Sequence, residues 1–165
     1  MKVKFLMAAI ACLALFSACD KTGVPHTGDD TGNLYGIWKL DKKTEIIPQS
    51  SGNQTKEIDF NNVNFYLALS NVGVPHALAK KGSFTQLDLK DVDVDGTIFT
   101  YNAEQKQMSF REKLWLTEIK NLVAYDMELN GTFDVLELTP GTLVIQQKNL
   151  LGATIIYGFK KTQAQ

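Results

Sequence analysis

The stretch Val63-Asn64-Phe65-Tyr66-Leu67-Ala68-Leu69 places Val63, Phe65, Leu67 and Leu69 at every second position. Period-2 alternation of apolar residues is the signature of a β-strand with one face buried, because successive side chains point to opposite sides of a pleated chain. Further along, Met108, Phe110, Leu114 and Leu116 repeat the pattern, with Glu112 the one interruption. Other β-rich runs are Leu34 to Ile47, Phe84 to Val94, Thr97 to Tyr101, Tyr125 to Leu138, Thr142 to Gln147 and Ala153 to Lys161. Asp95-Gly96 suits a tight hairpin turn, and Pro140-Gly141 a type II turn with positive φ at the glycine. Residues 48–57 read as a loop, and 73–82 around Pro75 as a bend or a single helical turn. Leu116, Ile119, Leu122, Val123 and Met127 also fit a helical stripe, so 114–127 is open to a short helix as well as to strand. The expectation is an all-β domain of about eight antiparallel strands with at most one short helix, built as an up-and-down barrel or a small sandwich. A barrel has the further merit of leaving no strand edge free to pair between chains.

Before this domain the chain carries an export signal. Met1-Lys2-Val3-Lys4 is basic, Phe5 to Phe16 is apolar, and Ser17-Ala18 precedes Cys19. The apolar run is about 12 residues, short of the roughly 20 that a spanning helix needs. An ordinary signal peptidase cut after Ala18 would place bulky Phe16 where a small residue is wanted. Phe16-Ser17-Ala18-Cys19 instead resembles the bacterial lipobox, with Phe in place of the more usual Leu. That resemblance implies removal of residues 1–18 and acylation of Cys19; firm anchorage takes more than one acyl chain. Cys12 would leave with the signal and Cys19 would be taken by lipid, so the mature domain would have no thiol chemistry. Residues 19–33 are rich in Gly, Thr and Asp and read as a lipidated flexible tether, with the folded domain spanning 34–165. The expected location is the cell envelope, anchored to a membrane, at the outer membrane's periplasmic face or the cell surface.

Loss of Lys2 and Lys4 moves the formal charge from −1 to about −3. A weakly acidic chain whose single arginine is Arg111 argues against nucleic acid, which selects clusters of Lys and Arg.

The opening Leu34-Tyr35-Gly36-Ile37-Trp38-Lys39-Leu40 and the closing Val135-Leu136-Glu137-Leu138-Thr139-Pro140-Gly141-Thr142-Leu143-Val144-Ile145, with Tyr157-Gly158-Phe159-Lys160-Lys161, together resemble the lipocalin-like lipoproteins of Bacteroidetes. In such families Gly-x-Trp begins the first strand, here Gly36 and Trp38. The resemblance implies a lipocalin-like barrel in which a basic side chain from the last strand packs over that Trp; Lys160 and Lys161 are the candidates. Trp38 is expected to plug one barrel end. Phe65, Phe99, Phe110, Phe133 and Tyr157 are core residues first, and would line an apolar ligand pocket if the interior were incompletely filled.

Chemistry is sparse. Asp91-Val92-Asp93-Val94-Asp95-Gly96-Thr97-Ile98 fits the first eight positions of a calcium loop, but Asn102 stands where the bidentate Glu belongs and the flanks read as strands. The competing reading is a hairpin with the three Asp in water. Gly-Val-Pro-His occurs at 23–26 and 73–76, and His26 and His76 lack acidic or Cys partners at metal-ligand spacing. No catalytic residues, resident metal or cofactor are expected. The function expected is a non-enzymatic binding or accessory module of the envelope, taking a small apolar ligand or an envelope partner. The alternatives are an assembly protein acting through its outer wall, or a calcium-dependent module using Asp91, Asp93 and Asp95.

Overall fold

A computed structural model describes residues 31–82 and 94–162. A single helical turn, α1 (Thr31–Leu34), leads into nine strands: β1 (Gly36–Gln49), β2 (Gly52–Asp59), β3 (Phe65–Ser70), β4 (His76–Lys81), β5 (Val94–Asn102), β6 (Gln107–Lys120), β7 (Val123–Leu138), β8 (Thr142–Lys148) and β9 (Thr154–Thr162). All pairings are antiparallel, and β9 returns to pair with β1 over Ile37–Ile46, so the sheet closes into a ring. The expected up-and-down barrel is therefore the observed fold, and the sandwich is excluded by that closure.

The ring itself has eight strands, because β1 is long enough to serve two neighbours along one edge. Its first residues, Gly36–Lys39, pair with β3, whereas Lys42–Gln49 pair with β2. β2 thus stands beside the ring as the second arm of a β1–β2 ribbon. This corrects the expected loop at 48–57. The ribbon is exposed almost throughout β2, so it has no apolar alternation to read; it is held by its ladder and by polar pairs such as Gln49 Nε2 to Gln54 Oε1 at 2.7 Å.

At 114–127 the strand alternative holds: these residues are the tip of the β6–β7 hairpin, turning at Asn121-Leu122. Leu114, Leu116, Met127 and Leu129 fall inside the barrel with period 2, and the apparent helical stripe joined the buried Leu116 and Met127 to the exposed tip residues Ile119, Leu122 and Val123. Asp95-Gly96 is not a turn. Both lie within β5, opposite Ala79 and Leu78, and a Cβ at Gly96 would stand 2.8 Å from Leu78 Cδ2. At Pro140-Gly141 the chain does turn, but Gly141 has no positive φ; Thr139 organises the turn by accepting from Thr142 N through its Oγ1 at 2.9 Å. Around Pro75 the bend is present, and His76–Lys81 continues as strand rather than helix. The expected strand over 84–93 lies outside the described residues.

Alternating side chains fill the interior. Val63, Phe65, Leu67 and Leu69 are all buried, as are Met108, Phe110, Leu114 and Leu116. Glu112 does not point inward, because it sits in an irregularity between Phe110 and Leu114 that turns it to solvent. A chain of rings crosses the core: Tyr35, Phe99, Phe110, Phe133, Tyr157 and Phe159 follow one another with centroids 5.8 to 6.4 Å apart. Tilted and edge-on pairs of this kind contribute about 0.5–1.5 kcal/mol each beyond their burial.

One barrel end is shut by Trp38. Its ring is fully buried, and Nε1 donates to Leu34 O at 2.8 Å. Lys161, from β9, lies over the ring with Nζ 4.9 Å from the centroid and donates to Asn33 O at 2.7 Å. Asn33 and Leu34 thus supply the two carbonyls that hold this end. Gly36 has φ +137°, and a Cβ there would stand 2.7 Å from Lys161 Cε. Glycine at this position leaves the path by which the lysine stem reaches the Trp38 face.

Candidate functional site

The opposite end carries a pocket of about 660 Å³, bounded by β1, β7, β9 and the β8–β9 turn. It exists because β7 parts from β8. Their pairing runs only as far as Asp134↔Gln146, and β7 from Val123 to Phe133 pairs with β6 alone. Backbone groups on an unpaired edge that faces the interior must find other partners. Side chains supply them. Tyr157 Oη accepts from Glu128 N at 3.0 Å and donates to Glu128 O at 3.2 Å, while Gln147 Nε2 donates to Asn130 O at 2.8 Å and Thr132 O at 3.0 Å.

β1 contributes a cation. Between Leu40 and Lys42 the β1–β9 register slips: Leu40 faces Phe159, Lys42 faces Gly158, and Asp41 is the extra residue. A bulge reverses which residues point inward. Trp38 and Leu40 are inward before it; Lys43, directly opposite Tyr157, is inward after it. Lys43 is accordingly 4% exposed. Its Nζ lies 2.7 Å from Asp126 Oδ2, 2.8 Å from Glu45 Oε1 and 5.8 Å from the Tyr157 ring centroid. Burial opposes the charge, but the Tyr157 oxygen and the Asp126 and Glu45 carboxylates outweigh it and hold the Lys43 pKa above its usual 10.5. Burial raises Tyr157 above 10.0, only partly offset by Lys43 and the Glu128 backbone bond. At neutral pH the pair is an ammonium and a neutral phenol.

Phe133, Tyr157 and Ile155, with Leu150 and Leu151 at the rim, form the apolar part of the lining, and Glu45, Asp126 and Glu128 bring acceptor oxygens. Of the five aromatic residues expected to line a cavity, Phe133 and Tyr157 do so here. Phe65, Phe99 and Phe110 are buried against other core rings and do not border this pocket. Gly36 and Trp38 lie at the closed end. Cys19, His26, Asp91 and Asp93 lie outside the described residues, and Asp95 is described only as backbone within β5. His76 is half-exposed with Nδ1 3.0 Å from Val74 O. Among the described residues no three His, Cys, Asp or Glu side chains are placed to hold a metal ion, and no helix is long and apolar enough to cross a membrane.

Lys43, Glu45 and Asp126 were not legible as site residues. Asp41-Lys42-Lys43-Thr44-Glu45 has no apolar residue to mark an inward face, and the bulge at Asp41 decides that Lys43 and Glu45 point inward. Comparisons with known protein families, with characterised proteins and with solved structures found no match.

Proposed function

We propose that this chain is an exported lipoprotein, anchored through Cys19, whose lipocalin-like barrel is a non-enzymatic binding module of the cell envelope. The observation that carries the reading is the pocket of about 660 Å³ at the end opposite the Trp38 plug, a size suited to one small molecule. Phe133, Tyr157 and Ile155 would take the apolar body of the ligand, and the carboxylates around Lys43 its polar end. Lys43 is held as an ammonium between two carboxylates and the Tyr157 phenol is tied to the Glu128 backbone, so both are engaged as fixed polar contacts at the pocket wall. Lys161 stacked on Trp38 supports the lipocalin-like reading, since it meets the expectation of a basic residue from the last strand.

Native mass spectrometry of the full chain from its cells tests both parts. The expected masses are a diacylated chain, reduced to an unmodified one by Cys19→Ala, and a co-purified small molecule lost on Ile155→Lys. An unmodified Cys19 would remove the anchor from the proposal. A bare chain from which Ile155→Lys displaces nothing would remove the ligand.

A further inference from the structure

Two turns at the pocket end share a sequence. β6 ends and β7 begins with Lys120-Asn121-Leu122-Val123; β8 ends with Lys148 and continues into Asn149-Leu150-Leu151. The strands alternate in direction round the ring, so both turns project from the end opposite α1. Leu122 and Leu150 are fully exposed, Leu151 nearly so, and Ile119 and Val123 stand exposed beside them. Lys120 and Lys148 are exposed too, and neither tip, 119–123 or 148–152, contains an acid. Lys120 donates one proton to Asn62 O.

Leu122 is costly to the fold. Asn121 and Leu122 have φ of +50° and +67°, the two positive values a type I′ hairpin turn demands. Glycine is the residue suited to the second position; a leucine there is strained and buries nothing in return. From these features we infer that the two Lys-Asn-Leu tips dock the barrel on an anionic lipid bilayer, with Leu122, Leu150 and Leu151 entering the acyl boundary and Lys120 and Lys148 meeting headgroup phosphates.

A bilayer fits the shape better than a protein does. The apolar groups stand on two separate turns, Leu122 on one and Leu150 with Leu151 on the other at the rim of the pocket, whereas a stable protein interface wants about 800 Å² of matched surface per partner. Lipid has no shape to match, and shallow insertion of apolar side chains flanked by lysines is how interfacial segments bind. Tip-to-tip pairing of two copies would set like lysines against one another. The exposed Val72 and Val74, on the β3–β4 turn at the other end, have no adjacent lysine and serve as the contrast.

The test uses the chain from residue 19 onward, the form that removal of residues 1–18 leaves, with Cys19 replaced by Ser and an environment-sensitive fluorophore on a cysteine introduced at Leu122, Leu150 or Val72. Vesicles of phosphatidylethanolamine and phosphatidylglycerol are expected to shift the Leu122→Cys and Leu150→Cys probes to the blue, and to leave Val72→Cys unchanged. In unlabelled protein, Leu122→Ser with Leu150→Ser is expected to lower the bound fraction about fivefold or more, and salt to weaken it. Vesicle-bound protein with unshifted tip probes would overturn the inference, as would the absence of any binding. A tip-probe shift that grows with protein concentration without vesicles would assign the tips to a second copy instead.

Discussion

Lys161 lies flat across the buried face of Trp38, its ammonium 4.9 Å from the ring centroid, and its stem passes where a side chain on residue 36 would be. The two residues seal one end of the barrel from opposite strands, β1 and β9, at the seam that closes the ring. Burial lowers the Lys161 pKa, so the charge is held at some cost by the ring and the Asn33 carbonyl.

Lys161→Ala should therefore lower stability by about 1–2 kcal/mol, through the lost cation–π contact and hydrogen bond. Gly36→Ala should cost about 2 kcal/mol or more, since it adds both a strained φ and a clash with the lysine stem. Urea unfolding followed by Trp38 fluorescence measures both. In the double variant Gly36→Ala with Lys161→Ala the clash is gone, so its loss should be smaller than the sum of the single losses.

The Lys43 and Tyr157 shifts predict alkaline instability. Both groups have folded pKa values above their unfolded ones, so their contribution is fully present below about pH 10 and is lost as pH rises through the folded values. Lys161 acts in the opposite sense, its penalty easing as pH climbs towards 10.5. The urea midpoint should fall above pH 10, and Tyr157→Phe should flatten that fall. An unchanged slope in Tyr157→Phe would show that the phenol is not its source.

Asp126→Asn should cost about 1–2 kcal/mol at pH 7, because it leaves Lys43, nearly inaccessible to water, with Glu45 as its one remaining carboxylate. Replacing Lys43 by Met in the Asp126→Asn background should recover part of the loss. A double-mutant cycle at constant pH gives the coupling directly.

Leu122→Gly should raise stability by about 0.5–1 kcal/mol, as relief of the strained turn exceeds the entropy glycine adds to the unfolded chain. Thermal unfolding checks this. The same variant should bind vesicles less well, so that stability and docking move in opposite directions.

Phe65, Leu67 and Leu69, or Met108, Phe110 and Leu116, were legible as core because period 2 on a half-buried strand leaves a strong signal in any window of seven residues. Tyr157 and Phe133 could be placed inside for the same reason, though not at a pocket. Asp95-Gly96 misled because its local chemistry is that of a turn, while the match of Gly96 to Leu78 on β4 is a contact between residues distant in sequence. The β2 strand left no trace, since a ribbon exposed on both faces imposes no periodicity.

By itself the sequence determined the class of fold: alternating apolar residues, spaced by turns, have antiparallel strands as their stable burial. That Lys160 or Lys161 would cover Trp38 was an expectation from a family resemblance, which periodicity alone could not supply. Only tertiary structure decided the pocket. The slip at Asp41 that turns Lys43 inward, and the parting of β7 from β8 that Tyr157 and Gln147 satisfy, are settled by pairing between strands far apart in the chain. One residue of register exchanges the two faces of a strand, and register is a property of both partners, so neither strand's own sequence could show which charges would be enclosed.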